Sequence, residues 1–121
     1  MDLNKLSSAL IKLRFALLNS DSAGAIEHLI KVRAADSELP VELHELRLLI
    51  DSAANRIEEL LNLGEIEHAC ALSDAIHALP EIAISSNADI CGFQKSFVKP
   101  FAQKWNDRFF DEFDLTEIFK R

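Results

Sequence analysis

Five leucines at positions 3, 6, 10, 13 and 17 step by three and four residues, and that spacing admits few folds. It places Leu3, Leu6, Leu10, Leu13 and Leu17 on one stripe of an amphipathic helix over about residues 2–18. Similar stripes recur through the next sixty residues. With only 3 Gly and 3 Pro in 121 residues, the chain is too poor in turn residues to be all-β. The spacing therefore predicts an all-α fold.

Asn19-Ser20-Asp21-Ser22 is a turn and N-cap signal, because these short polar side chains bond their own backbone. A second helix is expected over about 22–35, with Ile26, Leu29 and Ile30 inward and Gly24 allowing close packing against a neighbour. Pro40 fits the first turn of a third helix, about 40–62. On a wheel, Leu43, Leu46, Ile50, Ala53, Ala54, Ile57, Leu60 and Leu61 share one arc, while Leu48 falls opposite and Leu49 on the flank. A helix apolar on both sides reads as the central one, and Gly64 supplies a left-handed cap. A fourth helix, about 65–79, is apolar over most of its circumference and should be largely buried. Ile82 to Asn87 reads as an irregular or short helical connection. Weak echoes between residues 17–28 and 60–68 suit two stacked helical hairpins better than a solenoid.

The C-terminal stretch differs in kind. Phe93, Phe97, Phe101, Trp105, Phe109 and Phe113 recur every four residues, and only Phe15 stands outside this region among the aromatics. Four-residue steps drift by about 40° each on an α-helix, so these rings cannot share one straight buried face. Pro100 must kink or restart the helix. Pieces at about 89–98, 100–107 and 108–119 are expected, folding as a bent aromatic lid, with Trp105 the first ring to ask about as an exposed anchor.

Charge is unevenly spread in a chain of net −7. Residues 1–37 carry five bases and four acids, residues 38–92 two bases and eleven acids, and residues 93–121 six bases and five acids. An acidic middle disfavours nucleic acid, whose phosphates need Lys and Arg, and mildly favours a basic partner surface, the plainer alternative being a solvated face that keeps the chain soluble. Lys95, Lys99, Lys104 and Arg108 interleave with the tail rings, yet four such bases in an acidic chain are few for a single-strand platform. No apolar run approaches the length of a membrane span. Cys70 and Cys91 share no ligand or redox spacing, and no signal-like start is seen, so a cytoplasmic protein with reduced thiols is expected.

Candidate chemistry is thin. Glu65-x-x-His68 and Asp74-x-x-His77 have a di-iron spacing, but both lie on one helix with the two histidines about 180° apart. Ser73, Asp74 and His77 have the residue types of a hydrolase set without a glycine elbow or oxyanion hole. Ser73 and His77, four apart, can instead bond each other or a backbone carbonyl. No phosphate-binding glycine loop occurs, and no metal or cofactor is expected.

Gly64-Glu65-Ile66-Glu67-His68-Ala69, Leu72 through Pro80, and Phe97-Val98-Lys99-Pro100-Phe101 with Lys104-Trp105 resemble a pattern in small bacterial all-helical proteins of unassigned function, some of them of immunity type. The resemblance implies no catalytic residues. It implies that Asp74, His77 and the Lys99-Pro100-Phe101 turn matter together; in physical terms, Asp74 or His77 is expected to tie down the kinked tail.

The expectation is thus one all-helical domain over residues 1–121: an antiparallel bundle of two stacked hairpins closed by a kinked aromatic C-terminal segment. Its expected function is non-enzymatic binding of a protein partner, monomeric or homodimeric, with Glu45, Glu58, Glu59, Glu67 and Trp105 as contact residues. An immunity protein neutralising a toxin, and a structural homodimer, are the alternatives.

Overall fold

The computed structural model describes residues 3–85 together with Val98. Among these residues all regular structure is helical: α1 (Leu3–Leu18), α2 (Ser22–Ser37), a 3-10 turn (Val41–Leu43), α3 (His44–Asn62), α4 (Ile66–Ile76) and α5 (Leu79–Ser85). Four helices pack together. α1 borders α2, α4 and α5, α2 borders α3, and α3 borders α4. The expected central role of α3 therefore passes to α1 among the described elements. The reason lies in its stripe: Leu3, Leu6, Leu10, Leu13 and Leu17 are all buried, widened by Ala9 and Ala16, whose small side chains let a neighbour approach closely.

The α1 helix ends on an exchange of backbone bonds. The Ser20 N–H bonds the Leu17 carbonyl at 3.1 Å, and the Asp21 N–H bonds the Ala16 carbonyl at 2.8 Å. Ser20 adopts φ 56°, a left-handed conformation that normally favours glycine. The α3 helix ends the same way with glycine in place: Gly64 has φ 76°, with Gly64 N–H to Leu61 carbonyl and Glu65 N–H to Leu60 carbonyl. The expected left-handed cap at Gly64 is present.

Three local expectations need correction. Gly24 makes room for its own helix cap and not for a neighbouring helix: the Asp21 carboxylate accepts from the Gly24 N–H at 3.0 Å, and a β-carbon at position 24 would collide with it. Ile26 and Ile30 point outward, because the buried face of α2 is Ala25, Leu29, Val32, Ala35 and Asp36. The two isoleucines lie about 100–140° round the helix from that face. The third helix begins later than Pro40. Pro40 is extended (φ −67°, ψ 159°), and its carbonyl accepts from the Leu43 N–H at 3.0 Å, giving a 3-10 turn before α3.

A fourth correction concerns α4, which stops at Ile76 instead of running to 79. A continuous helix would press the Pro80 ring against the Ile76 carbonyl and leave it without a bond. The chain turns at His77 and Ala78 and restarts as α5, with Pro80 in its first turn where an N–H is not needed. Residues 82–85 are accordingly helical.

The core joins Leu6, Leu10, Leu13, Leu29, Leu43, Leu46, Leu49, Ile50, Ile57 and Leu72, all essentially inaccessible, with Val98 fully buried against them. Leu48 and Leu61 are half-buried and pack on its edge. The aromatic pieces expected at 89–119, including Pro100 and Trp105, lie outside the described residues, apart from Val98, and so does Cys91.

Candidate functional site

The expected contact carboxylates do not share one surface state. Glu58 accepts from Arg33 Nη2 at 2.6 Å, and the same nitrogen bonds Asn55 Oδ1 at 3.1 Å. This ties α2 to α3. Glu59 accepts from Arg56 Nη1 at 2.7 Å, one turn away on α3. Glu45 is half-buried in the first turn of α3. Glu67 is exposed in the first turn of α4. On the α3 wheel Glu58 and Glu45 stand about 140° apart. Two of the four carboxylates are thus already paired with an arginine of the same chain at the surface, Glu58 with its side chain 47% and Glu59 38% exposed.

Asp74 is occupied in the same manner: it accepts from Arg14 Nε at 2.6 Å, linking α1 to α4. His77 caps α4. Its Nδ1 bonds the Asp74 carbonyl at 2.5 Å, which requires the proton on Nδ1, and its backbone N–H bonds the Ser73 carbonyl at 3.1 Å. Asp74 and His77 are therefore brought together, through the Asp74 carbonyl and not its carboxylate. Ser73 is wholly buried and its Oγ has no hydrogen-bond partner among the described residues. Ser73, Asp74 and His77 do not form the serine–histidine–carboxylate chain that a nucleophilic relay uses. Cys70, a free thiol near Asp74, is pushed up by burial and then by the Asp74 charge, against Arg14. Such a thiol is a poor nucleophile. Among the described residues no group of three or more His, Cys, Asp or Glu could hold a metal ion, and no helix is long and apolar enough to cross a membrane.

Two further carboxylates stand together at the start of α4. Glu65 and Glu67 flank the start of α4, and Glu65 has only His68 nearby, 3.8 Å away. Leu63, two residues earlier, is 65% exposed. Residues 63–67 thus place an exposed leucine beside two carboxylates that have no Arg or Lys partner among the described residues.

One titratable group escaped the sequence reading. Asp36 on α2 is only 6% exposed, and its Oδ1 has no hydrogen-bond partner among the described residues. Burial first, and then the charge of Asp51, push its carboxyl up to about 7, against the opposing pull of Arg47. The signal was present in register: Leu29, Val32 and Asp36 step by three and four along the buried stripe. A carboxyl held near neutrality inside a packed face is the kind of group that functional sites use, and that purely structural clusters also contain.

Compared with protein-family models, with curated proteins and with solved structures, the chain finds no match in any of the three.

Proposed function

We propose that this chain is a non-enzymatic protein-binding module that presents acid to a basic partner through the turn between α3 and α4. The observation that carries it is the pairing of exposed Leu63 with Glu65 and Glu67. An apolar anchor rimmed by charge is the composition of a contact patch, where the buried centre supplies affinity and the rim supplies orientation. The packing supports a wider surface. In an antiparallel bundle of two stacked hairpins, the arrangement these helix contacts fit, the turns at 19–21 and 63–65 share one end. Leu18, also exposed, and Asp21 would then stand beside Leu63, Glu65 and Glu67. Of the expected contact residues, Glu67 belongs to this patch, while Glu58 and Glu59 are engaged internally.

The test is titration of a partner recovered by affinity capture against the wild type, Leu63→Asp and Glu65→Lys/Glu67→Lys. Binding should weaken with salt and fall at least tenfold in each variant. Binding indifferent to salt and to both variants sinks the proposal. An immunity protein is the sharper form of the same idea, resting on the resemblance around Asp74 and His77. Failure to restore growth against a toxin encoded beside it removes that form.

A structural homodimer is favoured by a different observation. Ile11, Phe15 and Leu18 form a second stripe on α1, spaced four and three, with Phe15 63% exposed. A monomer by light scattering at high concentration, with Phe15→Glu unchanged in mass, excludes it.

A further inference from the structure

The described basic side chains divide by type. Arg14, Arg33 and Arg56 each bond a carboxylate, and Arg47 lies within the field of Asp36. The lysines pair more loosely, Lys5 with Glu38 and Lys31 with Glu27. Lys5, Lys12 and Lys31, which are all the lysines among the described residues, line a single groove between α1 and α2. Its other walls are Ser8, Ala9, Ala34, Ala35 and Glu38, and it encloses about 290 Å³.

The pairing inside the groove is loose. Lys5 Nζ stands 3.5 Å from Glu38 Oε2, with both groups well exposed. Lys31 Nζ stands 3.9 Å from Glu27. Lys12 has no hydrogen-bond or ion-pair partner among the described residues. Three ammonium groups against Glu38 in the lining and Glu27 beside Lys31 leave a local charge of +1 in a chain of −7. Its alanine floor is apolar, so the walls offer charge at the rim and contact area below.

We propose that this groove binds a small soluble organic polyanion, of the phosphate-ester or polycarboxylate class, with its charges toward Lys5, Lys12 and Lys31 and its carbon body over Ala9, Ala34 and Ala35. Lysine suits the role, because an ammonium acts as a point charge toward phosphate and carboxylate without demanding one planar geometry. Each exposed ammonium at about 4 Å is worth roughly a fivefold change in affinity in high dielectric. Three such contacts multiply to about 125-fold, so the site is of about millimolar to ten-millimolar strength, and salt-sensitive. It is independent of the acidic α3–α4 turn.

The experiment is an amide NMR titration at low ionic strength, with inorganic pyrophosphate and citrate as probes. Saturable shifts are expected at residues 5–12 and 31–38. Lys12→Gln should weaken the midpoint about fivefold, Lys12→Gln/Lys31→Gln about 25-fold, and Glu38→Gln should tighten it about fivefold, each additive within a factor of two or so. All three substituted side chains are at the surface, and an unchanged helical spectrum shows that the variants fold. Shifts that never saturate, that concentrate beyond residue 85, or whose midpoint ignores both Lys12→Gln and Glu38→Gln overturn the proposal.

Discussion

Asp36→Asn should make the protein more stable at pH 8 than at pH 4.5 relative to the wild type. The ordinary aspartate value is 3.8, and in the folded chain Asp36 stands near 7. A raised carboxyl means the folded state holds its proton more tightly than the unfolded chain does. Below about pH 4 both states are protonated and the group is neutral to stability. Between about pH 4 and 7 the unfolded chain ionises while the folded one does not, and stability falls by about 1.4 kcal/mol per pH unit. Above about pH 7 the full penalty is in place, at most about 4 kcal/mol, and that is a large part of a small domain's margin. Asparagine keeps the shape and removes the charge. Its amide hydrogens also need partners in the Asp36 pocket, which costs about 1–3 kcal/mol at every pH. The variant-minus-wild-type difference should therefore slope upward by about 2–4 kcal/mol from pH 4.5 to 8, whatever its offset. Urea unfolding followed by circular dichroism at 222 nm, at four pH values, measures it. A flat difference, or one sloping downward, refutes the account of Asp36.

Other consequences can be checked by the same unfolding assay. Ser20→Gly relieves the left-handed serine and should stabilise by about 0.5–1 kcal/mol after the entropy cost of a freer unfolded chain, while Gly64→Ala, with open space around the new methyl, should destabilise by about 1 kcal/mol. The Arg14–Asp74 pair is partly exposed, so a double-mutant cycle should give a coupling under about 1 kcal/mol that fades in 1 M salt. Val98→Ala should cost about 2 kcal/mol, whereas no loss would mean that Val98 contributes nothing to the core.

How much of this was legible in the sequence depends on what each residue answers to. The leucine stripe of α1 and the cap at Gly64 follow from local rules, helix period and left-handed geometry, and both were readable. Ile26 and Ile30 were misread because two faces of α2 carry apolar residues, and only the neighbours of α2 decide which face is buried. Ala25 and Ala35, less hydrophobic but smaller, won because they let helices approach. Pro80 announced a break but not that the break would begin at Ile76. The acidic residues were countable, but which of them meet an arginine is a tertiary fact. Arg33 reaches Glu58 across 25 residues and Arg14 reaches Asp74 across 60, and no spacing rule joins them. The lysine groove was invisible for the same reason, since Lys12 and Lys31 become neighbours only when α1 and α2 pack.

The position of α1 bears on how the chain is made. Of the described helices α1 leaves a ribosome before the others, yet two of its neighbours, α4 (Ile66–Ile76) and α5 (Leu79–Ser85), follow about fifty residues or more later. At about 5–20 residues per second, Asp74 is added roughly 3–12 s after Arg14. Through that interval the leucine face of α1 can be shared with α2 alone, and the flank that later receives α4 and α5 stands open to water. The α1–α2 hairpin is therefore the species that chaperones and aggregation would meet during synthesis, and a slow stretch of translation before residue 66 would lengthen its exposure.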